Sequence, residues 1–264
     1  MATHETENRV AIVTGAARGI GAGVAEALVA SGLRVVLSDI DATGIAREAE
    51  RLGPRARAFA ADVSDETSVQ ELFARSVRAF GSTSEPISVL IQAAGVLLLP
   101  GGVRPLIHEM SLDNWERSFA VNTRGAFLCA REFLRAANAP GAAPMGHGRI
   151  VLFGSVAAQL GGYRSSASYI AAKSAVMGLA KALARESAHL GITANAIAPG
   201  LIDTEMLRAT VRSSGDLDAA ARSIPLGRIG TIADVTAAVS YLVSPQAAYQ
   251  TGTVIDVNGG YRMQ

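Results

Sequence analysis

Tyr169 and Lys173 lie four residues apart, and they are the pair in this sequence best suited to proton transfer. Residues at positions i and i+4 share one face of a helix, so the ammonium would lie beside the phenol. A neighbouring cation lowers the pKa of a phenol from about 10 toward the working pH. Tyr169 is therefore predicted to act as a general acid or base toward a carbonyl or an alcohol. The alternative is an amphipathic tyrosine and a solvated lysine on a helix surface.

The rarity of lysine in the chain favours the first interpretation. Of 24 basic residues only Lys173 and Lys181 are lysines, and the others are arginines. A compact ammonium can donate to a ribose hydroxyl while its pKa remains adjustable, which a guanidinium does not offer.

Two polar residues accompany this pair. Ser155 follows a predicted strand 14 residues before Tyr169, where its hydroxyl could reach the same substrate oxygen. A strand-end cap is the alternative for Ser155, and the absence of a Gly-x-Ser-x-Gly elbow disfavours a serine nucleophile. Asn122 lies inside a predicted helix, where asparagine competes for backbone hydrogen bonds. Asn122 is therefore interpreted either as a tolerated surface residue or as the site of a helix distortion that holds a water on a proton path to Lys173.

A glycine-rich turn near the start of the chain predicts a phosphate site. Residues 10–13 form a short apolar run typical of a buried strand, and Gly15, Gly19 and Gly21 then lead into a helix. Backbone N–H groups and the positive end of the helix dipole meet at such a turn. A turn without any ligand is the alternative interpretation.

An acid after the second strand narrows this prediction to a dinucleotide. The strand Arg34–Ser38 is followed by Asp39, about 20 residues after the glycines, where a carboxylate can accept hydrogen bonds from ribose hydroxyls. Asp41 takes this role if the strand ends later than expected.

Strands and helices alternate along most of the chain, beginning with the strand and helix of the glycine-rich turn. Further strands are predicted at Arg34–Ser38 and at residues 57–63, 88–94, 149–154, 192–198 and 253–257. Further helices are predicted at Ala42–Leu52 and at residues 65–80, 111–137, 165–190 and 231–243. Loops are predicted at residues 96–110, 138–148, 157–168 and 202–230, the last as a substrate lid. The alternation predicts an α/β fold, a doubly wound (Rossmann) seven-stranded parallel sheet with helices on both faces, in a single domain 1–264.

Ligands of such sheets bind beyond the carboxyl ends of the strands, and polar residues are found there. They are Asp39, Asp62, Gln92, Ser155 and the segment 199–204.

Composition excludes several classes of function. The 264 residues carry a net charge of +1 without a basic run, so neither nucleic acid nor a membrane surface is expected as a partner. A single cysteine, Cys129, and a polar segment 1–9 predict a cytoplasmic protein without a signal peptide. No apolar run approaches the length of a membrane span. The four histidines are scattered, so no metal is expected.

Together these motifs resemble those of the short-chain dehydrogenase/reductase family, from about residue 9 to residue 261. The matching residues are the coenzyme turn 14–21, Asp62 with Val63, Asn122, Ser155, Tyr169, Lys173, Pro199, Gly200 and Thr204. The resemblance implies that Asn122, Ser155, Tyr169 and Lys173 are catalytic. It implies that the tyrosine is the acid/base, that the lysine lowers its pKa and binds the nicotinamide ribose, and that the serine orients the substrate. Hydride would pass directly between a small alcohol or ketone and the nicotinamide.

The same resemblance, combined with the motifs, predicts the coenzyme and the assembly. The predicted cofactor-binding residues are Gly15, Arg18, Gly19, Ile20, Gly21, Asp39, Asp62, Val63, Gln92, Ala94, Gly95, Tyr169, Lys173, Pro199, Gly200, Ile202 and Thr204. NAD is predicted over NADP because Asp39 would repel a 2′-phosphate. Arg18 argues the other way, because a basic residue in this turn is a family feature of members that prefer NADP. A homotetramer is implied by the pairing of long helices between subunits in this family.

Gln92 departs from the family pattern, which has asparagine after the fourth strand, and the Ser155-to-Tyr169 spacing is one longer than usual. Three alternatives remain at this point. They are an NADPH-dependent 3-oxoacyl-type ketoreductase, an inactive dinucleotide-binding sensor, and a nucleotide-sugar epimerase or dehydratase.

Overall fold

The computed structural model describes residues 9–80, 87–139, 145–162, 164–214 and 217–263, without the side chains of 211–214. Its strands are β1 (Val10–Thr14), β2 (Arg34–Ser38), β3 (Ala56–Ala58), β4 (Ile87–Gln92), β5 (Gly148–Phe153), β6 (Ile192–Pro199) and β7 (Val254–Val257). They form one sheet in the order β3-β2-β1-β4-β5-β6-β7, and every pairing is parallel. The chain winds outward from β1 first through β2 and β3, and then in the other direction through β4 to β7. The predicted doubly wound sheet is confirmed.

Ten α-helices are described around this sheet. They are α1 (Gly19–Ala30), α2 (Ala42–Leu52), α3 (Glu66–Phe80), α4 (Leu112–Phe119), α5 (Gly125–Ala137), α6 (Val156–Leu160), α7 (Ala167–Ser187), α8 (Glu205–Ser214), α9 (Leu217–Arg222) and α10 (Ile232–Val243). A capping box begins α10, in which the side chains of Thr231 and Asp234 each accept from the other's backbone N–H. None of the described helices is long and apolar enough to cross a membrane.

Two hydrophobic clusters cover the two faces of the sheet. Helices α3, α5 and α7 bury side chains such as Phe73, Phe133 and Val176 on one face. Helices α1, α2 and α10 bury side chains such as Leu28 and Val239 on the other. Strands β1, β4, β5 and β6 are buried along their whole length, which explains why their sequences are continuous apolar runs.

The helix predicted at residues 111–137 is interrupted where Asn122 lies. Ser111 caps α4 by accepting a hydrogen bond from the Asn114 N–H at 3.2 Å. The segment Ala120–Arg124 between α4 and α5 is a π-helix. The predicted local distortion at Asn122 is therefore confirmed, since a π-turn inserts an extra residue into the helix.

The strand predicted at residues 57–63 is shorter than expected. Its partner β2 ends at Ser38, so β3 has no strand to pair with beyond Ala58. Two backbone bonds, from Phe59 to the Leu37 carbonyl and from Ala61 to the Asp39 carbonyl, continue the contact irregularly. Asp62 therefore lies on a connection after the sheet rather than in a strand.

Two predicted loops contain helices instead. Segment 202–230 includes α8 and α9, and residues 157–168 overlap α6. Leu207 and Ala220 are buried, so short apolar stretches of the first segment pack against the protein and stabilise helical turns. Part of the predicted loop 138–148, residues 140–144, lies outside the described residues.

Candidate active site

The turn between β1 and α1 leads into a helix whose first turn has no side-chain cap. Gly15 has a φ of 69°, and a Cβ there would lie 2.7 Å from the Ala94 nitrogen, so only glycine fits. Arg18 precedes α1 without making a side-chain cap, and the first turn contains no acid. Helices α2, α4, α6, α7 and α10 do begin with a side-chain cap. The start of α1, with Ile20 packed on the core and Gly21 against Gly15, thus fits a bound phosphate anion.

Asp39 is held against this turn by two backbone hydrogen bonds. Its carboxylate accepts from the N–H of Ala17 at 3.2 Å and from the N–H of Asp41 at 3.1 Å. The side chain is half-buried, so an oxygen remains reachable for a ribose hydroxyl. Asp41 is not a second candidate, because its carboxylate caps α2 by accepting from the Gly44 N–H at 2.9 Å.

Asp62 and Val63 lie beside this region on the connection after β3. The carboxylate of Asp62 accepts from the Ser64 N–H at 2.8 Å and from the Ser64 hydroxyl at 2.7 Å, which fixes its orientation. Val63 is buried, and a Cβ on Gly125 would lie 2.8 Å from its Cγ2. The connection is therefore clamped against the start of α5.

The segment after β6 follows the carboxyl edge of the sheet. Pro199 is the last residue of β6, and the Gly200 N–H donates to the Val257 carbonyl at 2.9 Å. Ile202 is buried and forms an isolated parallel bridge with Gly230. These contacts hold both ends of the helical segment 202–230 at the edge of the sheet.

Thr204 lies above the glycine-rich turn. Its Cγ2 would be 3.9 Å from a Cβ placed on Gly19. Its Oγ1 accepts from the Leu207 N–H at 3.4 Å at the start of α8. The N-termini of α1 and α8 therefore approach each other across the turn, which places the positive ends of two helix dipoles on the same side of the site.

Ser155, Tyr169 and Lys173 converge at the ends of β5 and α7. Ser155 caps α6 by accepting from the Ala157 N–H at 3.1 Å, and its hydroxyl lies close enough to the Tyr169 phenol to lower the pKa of that phenol. The Lys173 ammonium lies 5.8 Å from the centre of the Tyr169 ring and donates to the Phe153 carbonyl at 2.9 Å. The serine is therefore both a helix cap and a member of the polar group, so its two interpretations are compatible.

Burial dominates the proton affinities of the pair. It raises the pKa of the Tyr169 phenol above its usual value, and the hydrogen bond from Ser155 opposes this only in part. It lowers the pKa of the Lys173 ammonium to about 8. The predicted net fall of the Tyr169 pKa toward the working pH is therefore not seen, because the loss of water around the phenol outweighs the hydrogen bond from Ser155.

Asn122 and Lys173 flank one point of the backbone. A Cβ placed on Gly95 would lie 2.8 Å from Asn122 Oδ1 and 3.1 Å from Lys173 Nζ. Asn122 is fully buried, and its amide bonds the Val96 carbonyl at 2.9 Å and the Val96 N–H at 3.2 Å. The π-turn thus aims the asparagine at the end of β4, and Gly95 leaves space between the amide oxygen and the ammonium.

Gln92 does not make the interstrand bond that its position suggests. Its Nε2 donates to the Ala94 carbonyl at 3.2 Å, and its buried Oε1 has no partner among the described residues. Thr14 ties β1 to β4 instead, because its hydroxyl accepts from the Ala94 N–H at 3.2 Å.

Sequence reasoning missed two contacts of this site. The Phe153 carbonyl orients Lys173, and no side-chain pattern could have indicated a backbone acceptor. Glu205 forms an ion pair with Arg18, with 3.4 Å between Nε and Oε2. The sequence feature that could have indicated Glu205 is its position next to Thr204, as an acid in the first turn of a helix.

The chain matches a family model and known proteins over nearly its whole length. The model, described as enoyl-(acyl carrier protein) reductase, matches residues 15–262. A 2,3-dihydroxy-2,3-dihydro-p-cumate dehydrogenase of Pseudomonas putida is 37% identical over 262 residues, which cover 97% of this chain and 95% of that protein.

Solved structures agree with this match. The crystal structure of a 3-ketoacyl-(acyl-carrier-protein) reductase from Brucella melitensis complexed with NADH has a TM-score of 0.87 at 30% identity, covering 98% of this chain and 100% of the other. A blue fluorescent protein from a metagenomic library, in complex with NADPH, has a TM-score of 0.84 at 31% identity, covering 97% of this chain and 99% of the other. The chain belongs to the short-chain dehydrogenase/reductase family and is an oxidoreductase that uses a nicotinamide coenzyme on an alcohol or ketone group of a small molecule.

Proposed function

We propose that the protein is an NAD(H)-dependent dehydrogenase that interconverts a secondary alcohol and a ketone, with Tyr169 as general acid and base. The observation that carries this proposal is the convergence of the Ser155 hydroxyl, the Tyr169 phenol and the Lys173 ammonium. Asn122 lies next to the same ammonium across Gly95. An inactive dinucleotide sensor would not need four buried polar residues arranged around one point, each at a desolvation cost.

The proposed step divides the work among these residues. Ser155 and Tyr169 bind the substrate oxygen together, since their hydroxyls lie beside each other. Tyr169 takes the proton of the alcohol during oxidation and returns it to the ketone oxygen during reduction. The ammonium of Lys173, held by the Phe153 carbonyl, favours the phenolate form that oxidation requires. The nicotinamide ring, when bound, accepts or donates the hydride.

The residues present fit a dinucleotide along the carboxyl edge of β1, β2 and β4. We propose that the free N–H groups at the start of α1 and the side chain of Thr204 hold the pyrophosphate. Asp39 would bind the adenosine ribose, with Asp62 and Val63 beside the adenine. In this proposal the nicotinamide half is bound by Gly95, Lys173 and segment 199–202. The backbone beneath it is supported by Gln92 and Ala94.

Asp39 is the basis for proposing NAD(H) over NADP(H). A 2′-phosphate would bring about two negative charges within roughly 4 Å of its carboxylate, and each such pair costs about 4 kcal/mol at an effective dielectric near 20 before screening. The exposed Arg18 would return about 1 kcal/mol of this. The Asp39 carboxylate should therefore determine the preference for NAD(H) over NADP(H).

Asp39→Asn tests this proposal, because asparagine removes the charge while its amide oxygen can still accept from one of the two N–H groups, that of Ala17 or that of Asp41. The ratio of kcat/KM for NAD over NADP should fall at least about tenfold, equivalent to about 1.4 kcal/mol. Glu71→Gln, which removes a carboxylate from α3, is the matched control and should leave the ratio unchanged. A wild-type enzyme that prefers NADP(H) would contradict the assignment.

A second candidate is an NADPH-dependent reductase of 3-oxoacyl thioesters. It is favoured by Arg18 in the coenzyme turn and by the similarity to the Brucella melitensis 3-ketoacyl reductase. Comparing turnover of a cyclic vicinal diol with that of a 3-oxoacyl thioester, each with both coenzymes, separates the two candidates.

Tyr169→Phe tests the assigned chemistry. Turnover should fall on the order of a thousandfold, the scale of general acid–base catalysis. The dissociation constant for NAD should change by less than about twofold, because the glycine-rich turn and Asp39 supply most of its contacts. Tyr241→Phe, at an exposed tyrosine of α10, should keep full activity. Substantial activity in purified Tyr169→Phe would refute the mechanism.

We also propose that the protein is a cytoplasmic homotetramer. The single cysteine, buried at Cys129, supports a reducing compartment. Exposed small residues on α7 support the assembly, as described in the Discussion.

A further inference from the structure

Arg18 is adjacent to Asp39, the acid proposed to bind the adenosine ribose. The N–H of Ala17, the residue before it, donates to the Asp39 carboxylate at 3.2 Å. The Arg18 side chain therefore leaves the backbone next to the end of the site where a coenzyme carries a 2′-phosphate, if it has one. Arg18 supplies the positive charge that Asp39 lacks.

The Arg18 guanidinium already forms an ion pair with the carboxylate of Glu205. Its Oε2 lies 3.4 Å from Arg18 Nε, across the approach of the N-termini of α1 and α8. The neighbouring acid, Asp203, is engaged elsewhere, because it binds Arg208 through two bonds of 2.7 Å and 3.0 Å. Two acids at the start of the same segment thus have separate partners, and Glu205 is the one directed at the coenzyme turn.

The ion pair is exposed enough to be exchanged for a ligand. The side chains of Arg18 and Glu205 are 71% and 77% exposed. Exposed pairs are weak, whereas a phosphate dianion offers arginine a bidentate, charge-assisted bond. A 2′-phosphate would therefore compete with Glu205 for Arg18, and binding it would release the start of α8 from the turn.

We infer that Glu205 is a coenzyme-specificity residue, which weakens binding of a coenzyme with a 2′-phosphate by occupying Arg18. The inference rests on the proposed dinucleotide site. It adds to the effect of Asp39 through a different group, since one acid repels the phosphate directly and the other withdraws the cation that would attract it.

Glu205→Gln tests this inference by equilibrium binding. Dissociation constants for NAD and NADP are measured by titration calorimetry on the purified full chain at low salt. NADP should bind about fivefold tighter than to wild type, which corresponds to about 1 kcal/mol. The NAD dissociation constant should stay within about twofold. Asp203→Asn removes an acid two positions away while leaving the Arg18–Glu205 pair, and should change neither constant.

A second variant keeps the test specific to Arg18. In an Arg18→Gln background, adding Glu205→Gln should give no gain in NADP binding, because the competed cation is absent. A gain that persists there, an unchanged NADP constant in Glu205→Gln, or an equal shift for both coenzymes would overturn the inference. Failure of the proposed function is seen separately, as activity retained by Tyr169→Phe or as a wild-type preference for NADP(H).

Discussion

Lys173 shows how a single residue at this site opposes the stability of the fold. Its side chain is only 4% exposed, and burial lowers the pKa of its ammonium from 10.5 to about 8. The folded state therefore disfavours the charged form relative to the unfolded chain. This difference reduces stability fully below pH 8, and stability recovers as the pH rises from about 8 toward 10.5.

Lys173→Met should stabilise the protein and abolish its activity. Removing the buried charge should raise the free energy of unfolding at pH 7 by about 3 kcal/mol, from about 1.4 kcal/mol per pKa unit. Loss of the donor to the Phe153 carbonyl should take back about 1 kcal/mol, leaving a net gain of about 2 kcal/mol. Near pH 10 the gain should be close to zero, because the penalty for the buried charge has by then fallen to about 1 kcal/mol and the lost hydrogen bond offsets it.

Urea unfolding of wild type and variant at pH 7 and pH 10 measures this difference. Lys181→Met is the control, because Lys181 lies on the exposed side of the same helix. It should change stability by less than about 0.5 kcal/mol at either pH. A Lys173→Met protein that is less stable than wild type at pH 7 would contradict the desolvation argument.

At the scale of elements, α8 and α9 are the least firmly attached part of the described site. Of the side chains described in these two helices, Leu207, Thr210 and Ala220 are buried, while Met206 and Leu217 are exposed. The Arg18–Glu205 pair that joins α8 to the coenzyme turn is also exposed. Elements with few buried contacts open at low free energy, and lids over substrates are drawn from them.

We expect segment 202–230 to act as a helical lid that closes over bound ligands. Its amides should exchange slowly only with coenzyme and substrate both present, by a factor of at least about ten, equivalent to about 1.4 kcal/mol of opening free energy. Hydrogen exchange followed by mass spectrometry measures this protection. Amides of β5, which is buried throughout, are the internal control and should be protected in every state. Equal protection of 202–230 with and without ligands would argue against a lid.

At the scale of the whole molecule, α7 leaves a surface that one chain does not cover. Ala175, Gly178 and Ala182 are exposed on α7, and Phe127 on α5 is 47% exposed. A row of small residues lets a second helix approach closely, and a two-fold axis would pair such rows between copies. This surface supports the proposed homotetramer.

Gly178→Arg should break this assembly without unfolding the subunit. A Cβ at Gly178 meets no atom within 4 Å, so the larger side chain would clash only with another copy. Light scattering should give about four times the chain mass of 27.2 kDa for wild type and a smaller multiple for the variant. Gly178→Ala is the matched control and should keep the wild-type mass. A monomer mass for the wild-type protein would contradict the proposed homotetramer.

Local patterns in the sequence predicted most of the framework. Apolar runs indicated the central strands β1, β4, β5 and β6, because central strands of a parallel sheet are buried on both faces. The glycine spacing indicated the turn before α1, and the Tyr169-to-Lys173 spacing indicated a shared helix face. The poor helix propensity of Asn122 indicated the distortion that the π-turn provides.

Only the tertiary structure decided the environment of these residues. The raised pKa of Tyr169 and the lowered pKa of Lys173 follow from burial beneath several elements, which no local window contains. β3 ends at Ala58 because its neighbour β2 ends, which depends on strand pairing. The contact between Arg18 and Glu205 joins distant parts of the chain. Side-chain type and spacing are local, whereas solvation, pairing and charge contacts depend on what the fold brings next to each residue.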